Sequence, residues 1–419
     1  MADRTIARRR PKPAGTAPHL RLVRADELLR PKAAAAALAR RNLTLLLVPT
    51  ALLTIVGLVM ILSAGSISAV EGYGTSFWYF NRQSLYALAG VIGLVVTARI
   101  PYSFWRRAAI PMLLGLLPLM LLALHPSVGS SLYGASRWID LGPITLQPAE
   151  LAKLLTVCSA AAILSRPWKD LDRPRDAFLP LGPLVLAVAG VVLLQRDLGT
   201  MLIICGSVFL LLFVAGLRFR YLAWTAMGGV GAIAYFIFGT AYRRTRFLDA
   251  WLHWELDPSG AGWQLRQGLI ALGSGGWFGV GLGNSRQKWD YLPNAHSDFV
   301  FGVLGEELGL VGAIAVLSLF GVLLFAGIRI AMQARDTFGR LLVAGIMGWI
   351  GLQTLMNLGA VTGLLPITGV PLPFLSFGGT ALVVTLAGVG VVASVALDGV
   401  RSNERRDARS RSSVPRGRT

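Results

Sequence analysis

From residue 43 onward the chain alternates apolar runs with short polar intervals, and most of the runs match the length of a bilayer-spanning helix. Such a helix needs roughly 20 predominantly apolar residues to cross a hydrocarbon core about 30 Å thick. On that measure the pattern predicts about ten helices, at 44–64, 83–98, 108–124, 149–165, 178–195, 199–217, 221–239, 299–327, 341–361 and 380–398. The expected fold is an all-α polytopic membrane protein, with one membrane domain over residues 43–400 and tails at 1–42 and 401–419. No internal repeat and no separate soluble domain is visible. One set of intervals, at 65–82, 125–148, 195–200, 240–298 and 362–379, alternates with a second, more basic set. The 240–298 interval is the longest and stands just before the eighth predicted helix. It holds an apolar stretch of its own, "GWQLRQGLIALGSGGWFGVGLG" (262–283), expected to lie along the membrane surface or to fold back into the domain.

Composition strengthens this reading. The 419 residues are 54% hydrophobic and only 15% charged, with a mean hydropathy of +0.61, more apolar surface than a soluble chain of this length can bury. The net charge of +19 would suit a nucleic-acid partner, but its placement points elsewhere. Arginines and lysines collect in both tails and in alternate short loops (Arg106-Arg107, Arg166 to Arg175, Arg218 and Arg220, Arg329 to Arg340). With both tails cytoplasmic, all these loops are cytoplasmic too, as the positive-inside rule requires. No nucleic acid is expected. Residues 1–42 read as a basic flexible tail, with an amphipathic surface helix near 21–41 as the alternative. Cys158 and Cys205 fall inside predicted spans, so no disulfide is expected, and the first apolar run begins too late for a cleavable signal peptide.

Ionisable residues gather at span boundaries on the side expected to face outward. Glu150 and Lys153 stand i, i+3 on one helix face just after Pro148, Arg137 precedes that helix, Asp197 opens another and Asp298 a third. Charges at membrane depth are costly and tend to line a cavity or to pair. Capping is an equally physical role for Asp197 and Asp298, and a purely structural pair for Glu150 with Lys153. At roughly 100° per residue, Asp298, Gly302, Gly305 and Gly309 share a narrow arc, a stripe that admits close approach by a helix or a ligand chain. Glu306 flanks that arc and Glu307 lies nearly opposite, so one neighbour is not expected to satisfy both. Arg243, Arg244 and Arg246 would suit phosphate recognition or headgroup anchoring. The proline- and glycine-rich run 365–383 reads as a shaped wall for something apolar. His296, Ser297 and Asp298 are adjacent and their side chains diverge, so they form no triad, and "GVGLGN" follows no strand. A tight zinc site is not expected, whereas a divalent cation shared by Asp298 and substrate phosphates stays open.

Four stretches, "GASRWIDLGPITLQPAELAK" (134–153), "QRDLGT" (195–200), "YLPNAHSDFVFGVLGEELGLVG" (291–312) and "GVPLPFLSFGG" (369–379), resemble the SEDS family (shape, elongation, division and sporulation) in the family's order. The likeness spans about residues 43–398, and "LGNSRQKWDYLPNAHSDF" with the long N-terminal tail is closer to the division branch, FtsW, than to the elongation branch, RodA. The resemblance implies a ten-span peptidoglycan glycosyltransferase of the bacterial cytoplasmic membrane, acting at the division site. It would polymerise lipid II at the outer face beside a class B penicillin-binding protein and other divisome membrane proteins. Its other substrate would be undecaprenyl-pyrophosphate-linked glycan.

By the same resemblance Asp298 is the general base that activates the acceptor sugar's 4-hydroxyl, and Arg137 and Lys153 handle the lipid substrate. The candidate substrate-binding set is completed by Glu150, Arg243, Arg246, Gln267, His296 and Ser376, with Asp197, Glu306, Gly302 and Gly305 as structural or cavity-lining residues. Asp298 is also the one candidate ligand for a Mg or Mn ion. Four positions depart from the family's usual residues: Asn294 for an acid, Ala149 for serine, Arg196 for proline and Phe377 for tyrosine. The missing acid puts the metal in doubt and leaves Asp298 untouched. Competing readings are a lipid II flippase, a non-catalytic scaffold for a transpeptidase, and the elongation polymerase of the same family. A flippase would need polar groups along a path to the cytoplasmic leaflet.

Overall fold

The computed structural model describes residues 25–125, 129–132, 135–140, 142, 144–166, 174–239, 244, 251, 262–289, 291–293 and 295–412. Ten helices coincide in sequence with the ten expected spans. They are α1 (Ala25–Ala64), α3 (Trp78–Arg99), α4 (Ser103–Leu122), α5 (Pro148–Leu164), α6 (Pro174–Leu194), α7 (Leu198–Val214), α8 (Phe219–Phe238), α10 (Val300–Gln333), α11 (Thr337–Val361) and α12 (Gly379–Ser412). Among the described residues, six are long and apolar enough to cross a bilayer by length and composition: residues 37–64 of α1, then α4, α6, α10, α11 and residues 379–398 of α12. Between these run a short α2 (Ser66–Tyr73) and α9 (Trp263–Ser274). The chain is an integral membrane protein.

Packing places α5 at the centre. Every residue of α5 except Leu151 is buried, against α4, α6, α7, α11 and α12, while α3 lies along α12 and α1 along α10. Small residues in "CSAAAIL" let its neighbours approach closely, as is usual where helices associate without a hydrophobic gradient between them. Prolines inside α4 (Pro111, Pro118) and α6 (Pro180, Pro183) sit in outer helices of this arrangement. Such residues are tolerated in membrane helices because neighbouring groups take up the freed carbonyls.

The structure departs from the sequence pattern in three places. The 125–148 interval holds a small antiparallel meander, β1 (Gly129–Leu132), β2 (Ala135–Asp140) and β3 (Thr145–Leu146), so the fold is not purely helical. Alternation in "SRWID" is too short to have declared a strand. The apolar stretch 262–283 takes the second of its two expected placements and folds back into the domain, with α9 packed on α10. Helix α1 starts at Ala25 and α12 runs to Ser412, so both tails begin as continuations of membrane helices.

The third departure is in α10, which is interrupted at Gly309 (φ 66°, ψ −168°), a conformation that essentially only glycine adopts. Its backbone pairs sideways there. Val280 and Gly281 N–H donate to the carbonyls of Glu306 and Glu307 (3.0 and 3.1 Å), and Leu310 and Val311 N–H donate to those of Gly276 and Trp277 (2.9 and 3.1 Å). Residues 276–281 therefore supply the partners that the broken helix lacks.

Candidate active site

Asp298 lies in the turn that leads into α10, one residue before its N-cap Phe299. It therefore precedes the helix and does not belong to the glycine stripe. Asn357 of α11 holds this turn in place: its Nδ2 donates to the carbonyls of both Asp298 and Val370, each at 2.8 Å. A second clasp joins the same two segments, Phe377 N–H to the His296 carbonyl at 2.9 Å. The Asp298 carboxylate stands beside Gly369 (φ 69°), where a Cβ would come within 3.6 Å of Oδ2. Asp298 keeps a partial opening to its surroundings although protein packs closely round it. That burial pushes its pKa up to about 6, against the pull of Arg137 and with the help of Asp197.

Arg137 and Asp197 form an ion pair at 3.1 Å, joining β2 to the start of α7. Asp197 is also the N-cap of α7. It accepts from Thr200 N–H (3.0 Å), Thr200 Oγ1 (2.9 Å) and Gln147 Nε2 (3.3 Å), so capping and pairing coexist in one carboxylate. Three buried atoms around Asp298 have no hydrogen-bond partner among the described residues: Arg137 Nε, His296 Nδ1 and Thr368 Oγ1. Buried polar groups are rarely left so, and several together beside a carboxylate suit a polar ligand.

Glu150 and Lys153 pair at 2.9 Å deep inside the bundle, at 3% and 1% exposure. Lys153 also donates to Gln353 Oε1 (2.9 Å), which accepts from Trp349 Nε1 as well, and Gln353 Nε2 donates to the Pro371 carbonyl (2.8 Å). Gln353 and Asn357 stand i, i+4 on α11 and grip the consecutive carbonyls of Pro371 and Val370. Through Gln353, Lys153 is thus tied to the bracing of the 370–371 backbone. Sequence reasoning passed over Gln147, Gln353, Asn357 and Thr368 because it followed ionisable groups. The amides of "GLQTLMNLG", spaced by one helical turn inside an apolar span, were a readable signal.

The remaining candidates fall into place as follows. His296 stacks at 4.2 Å on Tyr79 and stands 5.8 Å from Phe377, and burial lowers its pKa to about 4, which keeps the ring neutral. Ser376 Oγ accepts from Leu372 N–H (2.8 Å) and closes its own turn. Gln267 is buried on α9, next to Gly268, which packs on the ring of Phe299. Gly302 and Gly305 serve helix packing: a Cβ on Gly305 would meet Leu272 of α9 at 2.5 Å.

Glu306 accepts from Ser285 Oγ (2.5 Å), Arg286 N–H (3.0 Å) and Gln287 N–H (3.4 Å). Glu307 accepts from Ser285 N–H (3.3 Å) and Ser63 Oγ (2.5 Å). One residue, Ser285, thus serves both glutamates, contrary to the helical-wheel expectation, because the loop wraps round the interrupted turn. Arg243 and Arg246 lie outside the described residues, and Arg244 is exposed. Among the described residues no group of three or more His, Cys, Asp or Glu side chains could hold a metal, and Asp197 is already paired with Arg137. The donor set does not make a resident metal centre.

A family model described as a cell cycle protein, for FtsW, RodA and SpoVE, matches residues 43–399. A probable peptidoglycan glycosyltransferase FtsW from Geobacter metallireducens is 40% identical over 356 residues, covering 85% of this chain and 94% of that protein. Stage V sporulation protein E of Bacillus subtilis is 38% identical over 351 residues, 84% of this chain and 96% of its own length. Two solved structures share the fold at 31% identity and 84% coverage of this chain. One is a chain of a peptidoglycan synthase complex that coordinates polymerization and crosslinking (TM-score 0.70, 97% of that chain). The other is the rod shape determining protein RodA of Thermus thermophilus (TM-score 0.63, 96% of that chain). The chain belongs to the FtsW/RodA/SpoVE family.

Proposed function

We propose that this protein is a peptidoglycan glycosyltransferase of the division branch, polymerising lipid II into glycan strands at the outer face of the bacterial cytoplasmic membrane. The observation that carries the reading is the setting of Asp298, a partly open carboxylate among the unpartnered atoms Arg137 Nε, His296 Nδ1 and Thr368 Oγ1. The relatives named as probable peptidoglycan glycosyltransferases support it. In the reaction, the Asp298 carboxylate accepts the proton of the acceptor sugar's 4-hydroxyl as that oxygen bonds to the anomeric carbon of the lipid-linked donor. The bond from that carbon to the pyrophosphate oxygen breaks with inversion, and undecaprenyl pyrophosphate leaves with the electron pair. In this reading Arg137, held by Asp197 through one nitrogen, binds the diphosphate with the rest of its planar fork. A Mg or Mn ion would have to arrive with that diphosphate, since among the described residues Asp298 is the one carboxylate offered to it.

The proposal includes cytoplasmic tails at 1–42 and 401–419 and an outward-facing 240–298 interval. It also includes a class B penicillin-binding protein as transpeptidase partner and residence with other divisome proteins at the division site. Likeness to a chain of a synthase complex that couples polymerization and crosslinking supports such a partner. The test is polymerisation of purified lipid II by the reconstituted protein with its cognate transpeptidase. Asp298→Asn should lower glycan synthesis by roughly 10²- to 10⁴-fold with an unchanged melting temperature. Equal synthesis by a folded mutant would reduce Asp298 to a turn residue, and no synthesis by wild type beside an active control polymerase would restore the flippase and scaffold readings.

A further inference from the structure

A cluster of rings on the 65–82 interval runs up to the Asp298 turn. Helix α2 ends at Tyr73, where Gly74 takes a left-handed conformation (φ 72°) and donates its N–H to the Val70 carbonyl at 2.9 Å. Only four residues separate Tyr73 from Trp78, the first residue of α3. That turn folds the two rings face to face, with centroids 3.6 Å apart and planes within 3°. One helical turn along α3, the Arg82 guanidinium lies over the Trp78 ring, 4.8 Å from its centre. Trp78 is thus covered by both neighbours, whereas Tyr73 is still 51% exposed although one of its faces is taken. Tyr79 carries the cluster inward: its ring stands 4.9 Å from Trp78, 4.2 Å from His296 and 5.0 Å from Phe377. His296 is two residues before Asp298.

Exposed aromatic residues on an outward interval commonly anchor a protein among lipid headgroups. Anchors of that kind act one by one. Here the rings touch in a single chain that starts at an exposed face and ends at the turn carrying the candidate base, which an anchor does not require. The face of an aromatic ring carries negative charge density, and the axial C–H bonds of a β-1,4-linked pyranose with equatorial substituents present a flat array of weakly positive hydrogens. Such a sugar covers the ring while its hydroxyls stay in water at the edge. We propose, on the glycosyltransferase reading above, that the open face of Tyr73, backed by Trp78, is a stacking subsite for the glycan strand beyond the two sugars that react. Holding the strand there keeps it at high effective concentration between successive additions. The subsite therefore governs strand length rather than formation of the first bond.

Two measurements on the full-length protein in nanodiscs test this. Saturation-transfer NMR with chitotetraose, a soluble β-1,4-linked N-acetylglucosamine chain, reads the contact without any turnover. Wild type is expected to saturate the axial ring protons, Tyr73→Ala to weaken that signal roughly threefold or more, and Tyr73→Phe, which keeps the ring face, to retain it. In lipid II polymerisation with the cognate transpeptidase, Tyr73→Ala should shorten the median strand about twofold or more while leaving the rate of the first coupling as in wild type. Tyr235→Ala, which removes an exposed aromatic near the other end of α8 from Phe219, should change neither readout. No chitotetraose signal in wild type would overturn the subsite and assign the face to lipid or to a partner protein. A signal that survives Tyr73→Ala, or strands of unchanged length, would overturn it as well, and equal shortening by Tyr235→Ala would return Tyr73 to a membrane anchor. Chitotetraose bound through Tyr73 by a protein that makes no glycan beside an active control polymerase would instead overturn the glycosyltransferase reading and leave the sugar contact standing.

Discussion

Asp298 shows how a single side chain inherits its chemistry from its neighbours. Burial raises its pKa to about 6, above the unfolded carboxyl, with Arg137 opposing and Asp197 reinforcing the shift. A base acts only when ionised, so polymerisation is expected to fall about tenfold for each pH unit below 6 and to level off above it. A pH–rate profile under conditions where chemistry limits the rate checks this. Arg137→Gln should move the apparent pKa upward, because it removes the one charge that favours the anion. A profile unchanged by that substitution would separate Arg137 from the site.

Arg196 is a second instructive residue, at φ 58° in the left-handed region. It ends α6 in a Schellman turn, with Arg196 N–H on the Leu193 carbonyl (3.0 Å) and Asp197 N–H on that of Val192 (3.2 Å). Glycine there avoids the left-handed penalty of roughly 1 kcal/mol, so Arg196→Gly is expected to raise the melting temperature in detergent. Arg196→Pro, the family's usual residue, should lower it, since proline is held near φ −65° and cannot donate to Leu193.

At the scale of elements, the apolar pattern located the ten helices, and most of their ends closely, because a bilayer imposes length and composition together, but it missed how far α1 and α12 run on into the tails. It did not locate the β meander, whose strands are short and stabilised by pairing rather than by an apolar face. Nor did it foresee the interruption of α10, since "GEELGLVG" reads as helix until its partner segment is in place. Gly309 is the test of that element. A Cβ there would stand 2.4 Å from Gly279 N and 2.6 Å from the Trp277 carbonyl carbon, on a backbone already closed to L-residues. Gly309→Ala is expected to cost at least about 3 kcal/mol and to cut the folded yield sharply on size-exclusion chromatography. Gly321→Ala, in open space on the same helix, should be silent.

For the whole molecule, charge patterning yields an orientation that labelling can check. In a background of Cys158→Ala and Cys205→Ala, Gly72→Cys should react with an impermeant maleimide in intact spheroplasts. Arg107→Cys should react only after lysis. Both positions are exposed, so access rather than burial decides the result. The reverse pattern would place Asp298 on the cytoplasmic face and remove the proposed reaction from the outer leaflet. The candidate site itself was half legible. Asp298, Arg137 and Asp197 stood out as charges at span ends, and they do converge. The amides that hold them did not stand out, because Asn357 and Gln353 act on backbone carbonyls far away in sequence.

The cross-paired break in α10 also has a mechanical meaning. Residues 300–308 carry the Asp298 turn at one end and are stitched at the other to the 276–281 segment. The helix beyond Gly309 joins them through a single glycine. Leu310 and Val311 beyond the glycine bond to that same segment, so residues 276–281 splint both halves of the helix across the break. A push or pull on that segment would reach the Asp298 turn and the long shaft together, as a brace set across a joint carries load to both sides.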